Sequence, residues 1–146
     1  MFANKLCSLA AHSTRLSLNK NVWSTVTHRG LRSTAALRAT FNVQDEDDFM
    51  ERVLKSTTPT VVDFHAQWCG PCKLLAPRLE TIISAKGEKV ALAKVDIDNV
   101  SDLALEYGVS AIPAVLAIRD GKVIDKFVGL QDEVRIEAFV NKLIGE

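Results

Sequence analysis

Cysteine is scarce in this chain of 146 residues: there are three, Cys7, Cys69 and Cys72. So few excludes an extracellular scaffold stapled by several disulfides. A structural zinc site needs four ligands, and beyond residue 40 the only Cys and His are Cys69, Cys72 and His65, so no metal is expected. No apolar run approaches the roughly 18 residues that suggest a membrane span. Nor does a continuous apolar stretch of about 7–15 residues follow the first Met, as a secretory signal requires. There is no Gly-x-Gly-x-x-Gly and no phosphate loop, so no nucleotide or other tightly held cofactor is expected. Charge of one sign is missing overall, because 18 basic and 18 acidic residues cancel; neither a nucleic-acid nor a membrane partner is expected. What is there, 47% hydrophobic and 25% charged residues, fits an ordinary globular chain with one domain.

The missing acids are unevenly placed. Residues 1–40 hold Lys5, Arg15, Lys20, Arg29, Arg32 and Arg38 and no Asp or Glu, and ten of these forty residues are Ser or Thr. Phe2, Leu6, Leu9 and Ala10 fall on one helical face, with Lys5 off it. A basic, acid-free amphipathic leader is what mitochondrial import reads; a chloroplast address is similar, and an attached basic arm is the alternative. The expectation is a cleaved transit peptide over 1–40, cut somewhere between Arg32 and Phe41, followed by one domain over 41–146 that carries all the acids.

In that domain the patterning alternates. Phe41–Val43 predicts a short strand, and Gln44 or Asp45 caps a helix carrying Phe49, Met50, Val53 and Leu54 inward. Thr60–Ala66, β-branched and apolar, predicts a buried central strand. A helix over about Cys72–Lys86 presents Leu75, Leu79, Ile82 and Ile83, with Pro77 removing one hydrogen bond and predicting a kink. Val90–Ile97 is a second central strand, and a short helix near Asp102–Tyr107 stops at Gly108. Ala114–Ile118 and Lys122–Val128 are strands joined by Asp120-Gly121, a strong hairpin signal. Asp132 caps a last helix with Ile136, Phe139, Val140 and Leu143 inward. The order β-α-β-α-β-α-β-β-α predicts an α/β domain, a central mixed sheet with helices on both faces.

The chemistry centres on Cys69 and Cys72. A structural bridge over so small a loop removes little chain entropy, so redox use is the favoured reading, with metal binding and an incidental pair in a peptide-binding module competing. Cys69 falls where a strand ends and a helix begins, so its sulfur faces unpaired backbone N–H groups and the positive end of the helix dipole. Both favour the thiolate, the form that attacks disulfides. Asp63 is out of place in an apolar strand: either it turns out to a solvated sheet end, or burial raises its pKa. Lys94, interrupting the next strand, is its candidate partner or else simple surface.

Trp68-Cys69-Gly70-Pro71-Cys72-Lys73 directly after Val61-Val62-Asp63-Phe64-His65-Ala66 resembles the thioredoxin family. Pro77, Ile112-Pro113 and Phe127-Val128-Gly129 match the same pattern, so the resemblance spans about 41–146. With the basic leader and His65 it is most similar to mitochondrial members. The resemblance implies the thioredoxin fold and a protein-disulfide reductase in the mitochondrial matrix, with Cys69 as attacking nucleophile and Cys72 as resolving thiol. It implies that Asp63 shuttles the Cys72 proton, that Ile112-Pro113 is cis, and that Trp68, Gly70, Pro71, Ile112, Pro113, Val128 and Gly129 form a shallow docking surface beside an exposed Cys69. Gly-Pro between the cysteines resembles reducing members, whereas isomerases and oxidases remain the alternative direction. No cofactor is bound by the family beyond the cysteine pair itself. NADPH enters only through thioredoxin reductase, and clients such as peroxiredoxins tie the activity to peroxide defence and redox homeostasis. A monomer is expected. His65 stands where the family often has an aromatic residue; a packed, hydrogen-bonded histidine is the favoured reading.

Overall fold

The computed structural model describes residues 40–146. The leader's helical face, Cys7 and the expected cleavage region as far as residue 39 lie outside the described residues. Strand β1 is Thr40–Asn42; α1, Glu46–Phe49, runs on as a π-helical turn, Met50–Leu54. Then come β2 Thr60–His65, α2 Gly70–Lys86, β3 Ala91–Asp96, α3 Ser101–Glu106, β4 Ala114–Arg119, β5 Lys122–Val128 and α4 Glu133–Ile144. The predicted order is therefore observed, with ends displaced by a residue or two.

The caps explain several boundaries. Asp45, rather than Gln44, caps α1, its carboxylate accepting from Asp48 N at 2.8 Å, and Asp132 does the same for α4 through Arg135 N. Each satisfies one of the backbone donors a helix start leaves free. Gly108, at φ 61°, takes the left-handed position just past α3. Asp120 and Gly121 both have positive φ, 53° and 71°, as the two-residue turn matching strand twist demands. Helix α2 continues through Pro77 from Gly70 to Lys86.

The five strands lie in the order β1-β3-β2-β4-β5. The first three are mutually parallel; β4 runs antiparallel to β2, and β5 antiparallel to β4. Alternation along β2 divides the interior in two. Val62 and Phe64 pack with Phe49, Val53, Leu103 and Ala104 on the face of α1 and α3. Val61 packs with Leu75, Leu79 and Ile83 of α2 and Ile136, Val140 and Leu143 of α4 on the other. Ile82 is only partly buried beside that second core. Phe49 and Val53 face inward as expected, but Met50 does not: it is 45% exposed, at the start of the π-helical turn, which widens the spacing of side chains.

Candidate active site

Strand direction gathers the site. Cys69 follows the carboxyl end of β2, Asp98 follows that of β3, Ile112-Pro113 precedes the reversed strand β4, and Val128-Gly129 ends β5. All four segments therefore emerge at one end of the sheet, where loops beyond parallel strands commonly form ligand sites.

Cys69 is the N-cap of α2, and its Sγ accepts from Cys72 N at 3.3 Å. A sulfur thus takes the place an oxygen fills at most helix starts. Pro71, in the first turn, has no N–H to compete and suits the fixed φ of that position. Cys69 and Cys72 are joined as a disulfide. The pair is less open than expected: Cys69 is 5% and Cys72 3% exposed. Ala66 forms a small apolar cluster with the two cysteines, and Ile97 and Ile112 pack against it. A Cβ added at Gly70 would meet nothing within 4 Å, so the space over the helix start is clear.

The Ile112-Pro113 peptide is cis, and Gly129 N donates to Pro113 O at 2.8 Å, tying the end of β5 to this turn. Arg78 of α2 donates to Gln131 O at 2.8 Å and holds the next part of the same loop. Trp68 is 69% exposed, and its Nε1 donates to Asp98 Oδ2 at 3.0 Å. Neither Arg78 nor Asp98 carries a signal in the sequence. Both act across gaps of dozens of residues through bonds that no local pattern signals. A net hydrogen bond of about 0.5–1.5 kcal/mol predicts that Asp98→Ala raises KM for a protein disulfide about two- to tenfold. An unchanged KM would show that the indole keeps its place without Asp98.

Asp63 lies at the middle of β2, 1% exposed, which decides against a solvated sheet end. Neither carboxyl oxygen has a hydrogen-bond partner among the described residues. Burial pushes its pKa up from 3.8 to about 6, with Lys94 opposing and Glu80 reinforcing the rise. Lys94 stands opposite Asp63 in the parallel register of β3, but its Nζ donates to Glu80 Oε1 at 2.7 Å rather than to Asp63. Glu80 had no signal in the sequence beyond being an acid on an amphipathic helix. His65, farther along the same face, is held below its ordinary pKa by burial, with Asp96 opposing the fall and Lys94 adding to it. Among the described residues no group of three His, Cys, Asp or Glu is placed to hold a metal, and no helix is long and apolar enough to cross a membrane.

The thioredoxin family profile matches residues 40–142. The chain belongs to the thioredoxin family. It is 59% identical to the mitochondrial thioredoxin of Bos taurus over 117 residues, covering 80% of this chain and 70% of that one. Identity to the mitochondrial thioredoxin of Mus musculus is 60% over the same shares. Among solved structures, the thioredoxin of Malassezia sympodialis matches with a TM-score of 0.67 and 33% identity, over 73% of this chain and 92% of its own. The expected fold is thereby borne out. As a member of the thioredoxin family the chain is a protein-disulfide oxidoreductase, with the Cys69–Cys72 pair at the active-site position.

Proposed function

We propose that this thioredoxin-family chain works in the reducing direction, as a general protein-disulfide reductase of the mitochondrial matrix. The observation that carries the reading is the Cys69 sulfur at the N-cap of α2, within Trp-Cys-Gly-Pro-Cys and accepting the Cys72 N–H. A sulfur so placed is stabilised as thiolate by that donor and by the helix dipole. The Cys69 thiolate attacks a client disulfide and one client sulfur leaves as thiolate. Cys72 then gives its proton to Asp63 and attacks Cys69 Sγ; the bond from Cys69 to the client breaks, and its electron pair leaves on the client sulfur. The client gains two electrons, and the Cys69–Cys72 disulfide results.

Trp68, Gly70, Pro71, Ile112, Pro113, Val128 and Gly129 form the docking surface in this reading. Val128 and Trp68 are exposed, and the backbone beside Ile112 is available to pair with an extended client. The oxidised pair is recharged by a thioredoxin reductase drawing on NADPH, and peroxiredoxins are among the disulfide-bearing clients. The acid-free basic leader over residues 1–40 and the mitochondrial naming of the Bos taurus and Mus musculus relatives support the location, with the leader removed between Arg32 and Phe41 and the domain acting as a monomer.

The test is the potential of the Cys69–Cys72 pair, read by titrating the thiols against defined glutathione and dithiothreitol buffers. The expected result is about −270 mV, the established value for thioredoxin itself rather than one calculated from this geometry. A result of about −180 mV or higher would reverse the direction to an oxidase or isomerase. A pair that never cycles would leave a peptide-binding module.

A further inference from the structure

The groups around Asp63 come from few elements. Strand β3 presents Lys94 beside it, β4 presents Val115 in register, and α2 presents Glu80 together with the apolar Leu75 and Leu79. Helix α4 brings Ile136 and Val140 to the same core, and His65 is the next side chain on this face of β2. One cation is therefore near enough to neutralise Asp63. A buried carboxylate beside a lysine ordinarily takes it as a partner, because an unpaired buried charge is costly. Here the lysine goes elsewhere. Its Nζ is bonded to Glu80 at 2.7 Å, on side chains 21% and 44% exposed for Lys94 and Glu80 respectively, while both Asp63 oxygens stay unpartnered among the described residues.

We propose that Glu80 is a positioning residue for the resolving step: it draws the Lys94 ammonium outward, away from Asp63, so that the buried carboxylate keeps both oxygens free to receive the Cys72 proton. This rests on the reading of Asp63 as proton acceptor. The proton that leaves Cys72 Sγ is the one Asp63 gains, and the sulfur keeps the electron pair with which it attacks Cys69 Sγ. A carboxylate locked to Lys94 would be a weaker base with one oxygen occupied. The raised pKa of Asp63, to which burial contributes most and Glu80 adds, is in keeping with a carboxylate left without a countercharge.

The experiment titrates the Asp63 carboxyl carbon by 13C NMR in the reduced full chain and in Glu80→Gln, Glu80→Asp, Lys94→Gln and the double variant Glu80→Gln/Lys94→Gln. In Glu80→Gln the midpoint is expected to fall by about one pH unit, the lower end of what an opposite charge at close range does to a carboxylate. Glu80→Asp, which keeps the charge, restores most of the wild-type midpoint. In a Lys94→Gln background the effect of Glu80→Gln is expected to shrink by more than half, because the lysine it would release is gone. The acid limb of the pH–rate profile for release of client from Cys69 moves down with the midpoint. A stationary midpoint in Glu80→Gln overturns the proposal, since a mere staple between helix and sheet would lower Tm and leave Asp63 untouched. So does a shift that persists undiminished in Lys94→Gln, which would assign the effect to the charge of Glu80 itself. Failure of the underlying reading looks different: Asp63→Asn would then release client at the wild-type rate, whatever Glu80→Gln does to the titration.

Discussion

Cys72→Ser is expected to leave the protein covalently attached to its client. Cys69 still attacks, because its sulfur keeps its place at the start of α2, but no second thiol waits one turn away to displace the client. Turnover falls by a factor on the order of 10³ or more, the scale of losses when a member of a covalent catalytic set is removed. A mixed disulfide accumulates that reducing agent cleaves. Cys69→Ser is equally inactive and accumulates nothing. Mass spectrometry of each variant after one exposure to a disulfide-bearing protein separates the two. Capture by Cys69→Ser through Cys72 would invert the assigned roles. The burial of Cys72, 3% exposed against 5% for Cys69, is too close to assign them alone; the N-cap position of Cys69 makes the distinction.

The second large effect concerns stability. Folding raises the Asp63 pKa from 3.8 to about 6, so the folded chain holds this proton more tightly than the unfolded chain does. The contribution is fully present below the unfolded value and is lost as pH rises through about 6. At about 1.4 kcal/mol per pH unit, that loss amounts to about 3 kcal/mol. Wild type should therefore weaken relative to Asp63→Asn between about pH 3 and pH 8, by about that amount, in urea unfolding of the disulfide form. Equal pH dependence in the two proteins would mean that Asp63 is not titrating against its burial. The same variant is expected to slow release of client from Cys69. A buried carboxylate that destabilises the neutral-pH fold is the kind of stability cost that functional sites retain.

Much of this was legible along the chain, for local reasons. The hairpin at Asp120-Gly121 could be read because positive φ at two successive residues restricts which residues fit. Asp132 opens α4 because a helix start exposes unpaired backbone donors. The site motif could be read because Cys-x-x-Cys at a strand-to-helix junction is local too. The exposure of Met50 is not legible in the sequence, because an apolar residue in an amphipathic run carries no mark of a π-helical turn. Glu80, Asp98 and Arg78 were missed because each acts on a partner 14, 30 or 53 residues distant.

The sequence by itself determined the alternation of strands and helices, the capped ends, the cysteine pair with its spacing, and the oddity of a carboxylate in an apolar strand. Those features depend on near neighbours, through periodicity, backbone conformation and unpaired helix ends. Only the tertiary structure decided that Ile112-Pro113, Asp98 and Gly129 meet Cys69 at one end of the sheet, since that follows from the direction in which each strand runs. It also decided that Asp63 is buried without a hydrogen-bond partner among the described residues, while Lys94, its neighbour in register, bonds Glu80. Which of two carboxylates one lysine pairs with is settled by packing and solvent access in three dimensions, where a strand and a helix distant along the chain face each other.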